Sequence, residues 1–255
     1  MKDDTVFSLI QAGVRAMLMT AGYDIIPRKQ PDFDDQDMKL VRQVAPYTMT
    51  SAERLVALRR AVTYLTHCGI EGAIVECGVW KGGSMMMAAL TLLELDEVNR
   101  QFYLYDTYEG MSAPTEADRA YNGGTAEDLL RNRYEARNLI SSLESVQQAM
   151  NSTKYHSDLI RYVKGKVEET IPATVPDRIA LLRLDTDWYE STYHEMVHLY
   201  PRLVRGGVLI VDDYGFWQGS RKAIDQYIAE KQLKLLLNRV DFTARIAVKL
   251  EDAAS

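Results

Sequence analysis

Ile179-Ala-Leu-Leu-Arg-Leu-Asp-Thr-Asp187 is the stretch that decides the fold, because an apolar run ends there in two aspartates. A second apolar run that ends in two aspartates is Gly207-Val-Leu-Ile-Val-Asp-Asp213. Apolar runs of this length, bounded by polar turn residues, are typical of buried strands. The sequence therefore predicts neighbouring parallel strands whose carboxyl ends meet at the sheet edge where open α/β sheets bind ligands.

Four carboxylates follow these two strands: Asp185, Asp187, Asp212 and Asp213. Like charges in one crevice repel one another, so the arrangement favours a hard cation bound by oxygen ligands. The alternative is that the aspartates cap helices or form salt bridges with Arg183 or Arg221. Capping requires one aspartate at each helix rather than four in two clusters, and the metal site is therefore the preferred interpretation.

The composition is that of an ordinary soluble globular protein. The chain has 255 residues, of which 47% are apolar, and its net charge is −6. A negative charge with scattered Lys and Arg argues against a nucleic-acid partner. Cys68 and Cys77 are too few for a disulfide framework and favour a reduced compartment. No apolar stretch has the roughly 20 residues of a membrane span, so we expect a cytoplasmic protein with no membrane partner.

Strands and helices alternate along most of the chain, as in a parallel α/β sheet. Besides the two strands above, strands are predicted at residues 73–77, 102–105 and 159–163. Helices are predicted at residues 51–69, 84–95, 139–151, 167–171, 193–200 and 221–230. Residues 234–250 resemble an antiparallel hairpin that turns near Asp241. Residues 1–50, with a short amphipathic helix at residues 6–20, are predicted to be a helical extension or lid on a main domain of residues 51–255.

The first strand leads into the glycine-rich segment Glu76-Cys-Gly78-Val-Trp-Lys-Gly82-Gly83-Ser84. Glycines let the chain turn tightly and bring backbone N–H groups close to a ligand. The Gly-x-Gly-x-x-Gly spacing of dinucleotide enzymes is absent. The observed Glu-x-Gly-x-x-x-Gly spacing matches sites for S-adenosylmethionine (SAM), although a plain strand–helix turn also uses glycines.

Residues after the second and third strands extend this candidate cofactor site. Asp106, followed by Thr107, can accept hydrogen bonds from both ribose hydroxyls; the alternative is that Asp106 caps the next helix. Gly165 and Lys166 follow the third strand, where adenine is expected.

His194-Glu-Met-Val-His198 has the His-Glu-x-x-His spacing of zinc proteases. Two histidines four residues apart on a helix can bind zinc, with Glu195 as the base. Pro201 follows closely, however, and no third ligand lies at the usual spacing near Gln218. We therefore interpret the segment as a polar helix face with one packed histidine.

Taken together, these segments resemble the macrocin/mycinamicin-type O-methyltransferases, which methylate sugars and phenols of antibiotics. The resemblance runs from about Tyr47 to the C-terminal hairpin. It rests on Tyr47-Thr-Met49, Glu53-Arg-Leu55, Glu76 to Gly83, Asp106, Glu109-Gly110, Leu184 to Thr192, Tyr200-Pro-Arg-Leu203 and Gly206 to Tyr214.

The resemblance implies a fold, a cofactor, a metal and a base. The fold is the class I methyltransferase sheet, with five parallel βα units closed by an antiparallel C-terminal hairpin. Thr48 and Met49 would help enclose SAM, Asp185, Asp212 and Asp213 would bind Mg²⁺, and Asp187 would be the general base. Family members usually have Asp-Gly-Asp where this chain has Thr186 at the centre, so Thr186 adds a side chain beside the cofactor.

The expected reaction is methyl transfer from SAM to a hydroxyl of a small glycosylated or phenolic molecule. Acceptor specificity is expected in the N-terminal segment and in the polar insertion at residues 112–132, because binding residues concentrate in loops. The resemblance also implies a homodimer or larger assembly. The alternatives are a nicotinamide-dependent oxidoreductase and a non-catalytic protein that binds SAM or metal.

Overall fold

The structure is a computed structural model that describes residues 13–21, 30–132 and 140–251. The chain divides into two units, Met1–Asp35 and Gln36–Ser255. In the first unit, residues 13–20 are helical; the remainder of the predicted amphipathic helix at residues 6–20 lies outside the described residues. The proposed boundary at residue 50 stays a prediction.

The second unit is built on a seven-stranded sheet. Its strands are β1 (Ala73–Cys77), β2 (Phe102–Asp106), β3 (Ile160–Lys164), β4 (Ile179–Leu184), β5 (Leu203–Val211), β6 (Asn238–Arg239) and β7 (Arg245–Val248). Their order in the sheet is β3-β2-β1-β4-β5-β7-β6. The first five strands are parallel, and β7 runs antiparallel to β5 and β6. The predicted fold, five parallel strands closed by an antiparallel hairpin, is confirmed.

Helices accompany the sheet: α1 (Asp35–Val44), α2 (Ala52–His67), α3 (Gly83–Glu94), α4 (Ala126–Asn132), α5 (Leu143–Ser152), α6 (Val167–Thr170), α7 (Tyr189–His198) and α8 (Gln218–Glu230). Successive strand residues point to opposite faces of the sheet. Ile74 and Leu181 therefore pack in one core with α2 and α3, whereas Val75 and Leu182 pack in a second core with α7 and α8. Burial on both faces explains why the strands are nearly continuous apolar runs.

The strand register places the ends of β1, β4 and β5 side by side. Cys77 pairs with Leu184, and Leu184 pairs with Val211. The ladder continues one residue further, because the Asp185 N–H donates to the Cys77 carbonyl and the Asp212 N–H to the Leu184 carbonyl, both at 2.9 Å. The two aspartate clusters are therefore neighbours at one edge of the sheet, as predicted.

Several element boundaries differ from the predicted ones. The Ser51 hydroxyl caps α2 as expected, accepting from the Arg54 N–H at 3.2 Å. Helix α7 begins four residues earlier than predicted, since the Asp118 carboxylate of the distant insertion accepts from the Tyr189 N–H at 2.8 Å. Strand β5 extends back to Leu203. Among the described residues, no helix combines the length and the apolar character needed to cross a bilayer.

Candidate active site

A cavity of about 400 Å³ lies at the carboxyl ends of the parallel strands. Its wall contains most of the residues predicted for the site: Thr48, Met49, Gly78, Gly83, Ser84, Asp106, Thr107, Gly165, Lys166, Asp185, Thr186, Asp187, Asp212 and Asp213. Two predicted cofactor residues are not part of this wall. Glu76 is buried within β1 at 1% exposure, and Gly82 forms the left-handed N-cap of α3.

Asp185, Asp212 and Asp213 form the one cluster among the described residues that can hold a metal ion. One carboxylate oxygen from each lies within 4.8 Å of the other two. The ligand set consists only of oxygen atoms, which suits Mg²⁺. Asp213 Oδ2 is buried and has no hydrogen-bond partner among the described residues, which leaves an acceptor atom for a cation. The residues present therefore fit the predicted metal.

Two arginines already pair with these carboxylates. The salt-bridge alternative is therefore correct for Arg183, whereas Arg221 donates to the carbonyls of Tyr214 and Gly215. The Arg183 guanidinium is 2% exposed and donates to Glu76 and Asp185, each at 2.6 Å, and to Asp212. Arg54 pairs with Asp212 and donates to Asp241 at 2.7 Å. Arg183 thus joins carboxylates at the ends of three strands.

The negative charge of the site still exceeds the charge of the two arginines. Burial raises the pKa values of Asp185 and Asp213 well above the ordinary range, against the opposing effect of Arg183. Burial also raises the pKa of Glu76 to about 7. Desolvation disfavours the charged form of each acid. The cluster is therefore stabilised by taking up protons or a divalent cation.

Asp187 lies in a turn that holds it in an uncommon conformation. Its φ angle is +67°, in the left-handed region that residues other than glycine seldom adopt. Burial, followed by the charge of Asp185, raises the pKa of Asp187 to about 7, and a hydrogen bond with the Trp217 side chain opposes this shift. A carboxylate that gains and loses a proton near neutral pH is suited to general-base catalysis.

Asp106 organises the glycine-rich turn. Its Oδ2 accepts from the N–H groups of Val79 and Trp80 at 2.7 and 2.9 Å. Its Oδ1 accepts from the Tyr108 N–H at 2.7 Å. A carboxylate has about four lone-pair positions, so three strong backbone bonds leave little capacity for another donor. Asp106 does not cap the next helix, which begins only at Ala126. It holds the β1–α3 turn and also lines the cavity, so the ribose interpretation stays a prediction.

Two glycines of that turn are required by close backbone packing. A Cβ on Gly78, whose φ is +85°, would lie 2.1 Å from the Asp185 carbonyl oxygen. A Cβ on Gly83 would lie 2.6 Å from the Tyr47 carbonyl oxygen. The glycines therefore let the β1–α3 turn pack against the turn that contains Asp185 and against the segment that contains Thr48.

An aromatic wall, which the sequence did not predict, lines the cavity beside the aspartates. Trp188 and Trp217 pack edge to face with ring centroids 5.0 Å apart, and Phe216 packs on Trp217 at 5.0 Å. The insertion closes over these rings, because the Trp188 indole donates to the Ser112 carbonyl at 3.0 Å. The sequence did contain a signal for this aromatic wall. Trp188 directly follows the first aspartate cluster, and Phe216-Trp217 begins three residues after the second.

The His-Glu-x-x-His segment forms no metal site among the described residues. His194 bonds through Nε2 to the Ile171 carbonyl at 2.9 Å. Glu195 is fully buried rather than on the predicted polar surface, and its carboxyl accepts from the Thr186 hydroxyl at 3.0 Å. The zinc interpretation, which the sequence already disfavoured, has no support in this geometry.

Comparison with known proteins gives consistent matches. A family model described as macrocin O-methyltransferase (TylF) matches residues 14–248. Mycinamicin III 3''-O-methyltransferase of Micromonospora griseorubida is 33% identical over 71% of this chain and 70% of its own. A Streptomyces olivaceus 4'-O-methyltransferase, named for 8-demethyl-8-(2,3-dimethoxy-alpha-L-rhamnosyl)-tetracenomycin-C, is 30% identical over 89% and 84%. The solved O-methyltransferase NovP superposes with a TM-score of 0.69 at 28% identity, covering 80% of this chain and 83% of NovP.

Proposed function

The chain belongs to the macrocin O-methyltransferase family, and from this membership and the cavity we propose that it transfers a methyl group from SAM to a sugar or phenolic hydroxyl with the help of Mg²⁺. The observation that carries the proposal is the convergence of four aspartates at the ends of β4 and β5. One of them, Asp187, has a pKa of about 7. The family relation supports the reaction class, and the cavity supports the role of each residue.

The cofactor would lie along the β1 and β2 side of the cavity. Gly78, Gly83 and Ser84 bring backbone close to it, and Thr48 and Met49 also line this cavity. Asp106 holds the turn through three backbone N–H bonds, and its remaining acceptor capacity would contact the ribose. Gly165 and Lys166 would border the adenine.

Asp187 would take the acceptor proton. SAM, when bound, would supply the methyl group, and its sulfur would leave with the electron pair of the broken carbon–sulfur bond as the acceptor oxygen bonds to the methyl carbon. Asp187 would accept the hydroxyl proton in the same step, which contributes about 10²–10⁴-fold to the rate. Mg²⁺, when bound, would make the acceptor hydroxyl more acidic and orient it.

Asp185, Asp212 and Asp213 are the proposed ligands of that metal. Arg183 donates to Asp185 and Asp212, so both carboxylates would already be oriented before an ion binds. Such ordering of ligands by neighbouring groups is the usual support of a protein metal site.

The acceptor would bind on the aromatic side of the cavity. The names of the relatives state O-methylation of mycinamicin III, of demethyldecarbamoylnovobiocin and of a rhamnosyl tetracenomycin. Trp188, Phe216 and Trp217 provide flat apolar surfaces that can pack on the C–H face of a sugar or on an aromatic ring. We therefore propose a glycosylated or phenolic acceptor; the homo-oligomeric state and the cytoplasmic location stay predictions.

Calorimetry with SAM, NAD and MgCl₂, each titrated separately, tests the proposal. We expect SAM and Mg²⁺ to bind, NAD not to bind, and Asp213→Asn to weaken Mg²⁺ binding. Asp177→Asn, an exposed carboxylate outside the cavity, is the matched control and should bind Mg²⁺ as the wild type does. Tight binding of NAD without binding of SAM would refute the proposal in favour of an oxidoreductase.

A non-catalytic SAM- or metal-binding protein is the other candidate. Such a protein needs the glycine turn and the ligands but no base beside them. The family match and the relatives, which are named as O-methyltransferases, favour an enzyme.

A further inference from the structure

Glu195 is a buried acid that the proposed reaction does not use. It lies on α7 with no exposed surface. Its Oε1 accepts from Thr186 Oγ1 at 3.0 Å, and the Cys77 thiol of β1 lies close enough to the carboxyl for each group to affect the pKa of the other. Its Oε2 is buried without a partner among the described residues. Burying such a group lowers stability unless it gains compensating interactions, so its retention calls for a reason.

The hydrogen-bond partner of Glu195 lies at the centre of the proposed catalytic turn. Thr186 separates Asp185, a proposed metal ligand, from Asp187, the proposed base. The backbone of this turn is constrained, because Asp187 has a left-handed φ of +67°. The Thr186 carbonyl accepts from the Trp188 N–H at 2.8 Å. Conformations of this kind persist only when surrounding contacts hold them.

Thr186 is also the position at which this chain departs from the usual Asp-Gly-Asp pattern. A glycine offers no side chain by which a neighbouring element can hold the turn. In this chain the Thr186 hydroxyl reaches α7, and Glu195 in turn reaches Cys77 at the end of β1. The threonine therefore links the turn to two elements of the scaffold.

We propose that Glu195 is a positioning residue, which holds Thr186 through its hydroxyl and thereby fixes the turn that carries Asp185 and Asp187. This inference rests on the proposed roles of those two aspartates. Burial raises the pKa of Glu195 well above its usual range, so the side chain acts as a neutral acid and Gln can replace it with the same acceptor atom. Groups that orient metal ligands commonly affect metal affinity by about 10–100-fold.

Mg²⁺ affinity measured by calorimetry with MgCl₂ tests the proposal without requiring an identified acceptor. Thr186→Val removes the donor, and Glu195→Leu removes the acceptor. Each should raise the dissociation constant for Mg²⁺ by about tenfold, the lower end of the range for groups that orient ligands. In the double variant both polar partners are gone, so the effects should not multiply.

Two variants separate positioning from general loss of packing. Glu195→Gln keeps an acceptor for Thr186 and should bind Mg²⁺ with an affinity close to that of the wild type. Thr91→Val removes a buried hydroxyl that bonds only within α3, to the Met87 carbonyl at 2.7 Å, and should alter stability without altering Mg²⁺ affinity. Thermal unfolding confirms that each variant is folded. If Glu195→Leu does not fold, the comparison of Thr186→Val with Glu195→Gln still tests the proposal.

The outcomes distinguish this inference from the proposed function. Unchanged Mg²⁺ affinity in Thr186→Val, or a loss in Glu195→Gln as large as in Thr186→Val, would overturn the positioning role and leave the proposed metal site intact. A wild-type protein that binds no Mg²⁺ would refute the proposed metal site and the positioning role together.

Discussion

Replacing Arg183 by Met should cause a large loss of stability. Its guanidinium is 2% exposed and bonds to Glu76 of β1, to Asp185 after β4 and to Asp212 after β5. Met fills a similar volume without charge, so Glu76 and Asp185 lose the guanidinium that pairs with them, and Asp212 keeps Arg54. Removing one member of a buried ion pair costs about 3–5 kcal/mol.

This free energy converts into a measurable melting shift. For a domain of about 150–250 residues, each kcal/mol lowers Tm by about 2–4 °C, so the expected decrease is about 6–20 °C. Differential scanning calorimetry and urea unfolding should report the same loss. Protonation removes the unpaired charge, so the loss should shrink between about pH 8 and pH 6 as the folded protein takes up protons.

Arg178→Met is the matched control for this experiment. Arg178 pairs with Glu71 at 3.3 Å, and both side chains are mostly exposed. Exposed pairs contribute between zero and about 1 kcal/mol. The reasoning is refuted if Arg183→Met is as stable as Arg178→Met, or if its additional loss does not depend on pH.

Three further predictions follow from the geometry. Gly78→Ala should lower the free energy of unfolding by more than about 2 kcal/mol, because its Cβ would lie 2.1 Å from the Asp185 carbonyl; wild-type stability in urea would contradict this. Asp106→Asn places an N–H₂ group against backbone donors and should weaken SAM binding in calorimetry about tenfold, an effect of about 1.4 kcal/mol; unchanged affinity would contradict it. Burial lowers the pKa of His198 in the folded protein. The neutral side chain therefore contributes its full stability above the unfolded pKa of about 6.5, and this contribution is lost as the pH falls and His198 must take up a proton. His198→Gln should therefore flatten the dependence of stability on pH between about 7 and 5, and an unchanged slope would contradict this.

The sheet was predictable because its signals are local. Apolar runs such as residues 179–184 specify buried strands, and polar residues directly after them specify which edge of a parallel sheet carries the site. Residues that follow different strands, such as Asp185 and Asp212, could therefore be placed together from the amino-acid sequence alone. The sequence pattern of residues 234–250 likewise predicted the C-terminal hairpin.

The pairing of the charges was not predictable in the same way. Arg183 is the one charged residue in its strand, which marks it as unusual, but its partners are set by the order β1-β4-β5 and by a register that puts Glu76 opposite Arg183. Arg54 reaches Asp212 across 158 positions of sequence. The sequence offered Arg183 as an alternative salt-bridge partner but did not indicate Arg54, so repulsion among the aspartates was overestimated.

Long-range caps and buried polar contacts were also missed. Asp118, in the insertion, caps α7 and so moves the start of that helix back to Tyr189. Glu195 was interpreted as part of a polar surface because the His-Glu-x-x-His pattern shows spacing but not burial. Asp118 and Glu195 each contact a partner that is distant in the sequence or on another element, and hydrophobic periodicity does not reveal such contacts.

Release of S-adenosylhomocysteine by the wild type and by Asp187→Asn is the measurement that tests the central claim most directly. Both proteins are incubated with SAM, MgCl₂ and a panel of 4-nitrophenyl glycosides and simple phenols, and methylated products are identified by mass spectrometry and NMR. The account predicts methylation of a hydroxyl oxygen by the wild type and a rate at least about 100-fold lower in Asp187→Asn, with SAM affinity unchanged. Asp187→Asn turning over at the wild-type rate, or a methyl group on an atom other than oxygen, would contradict it.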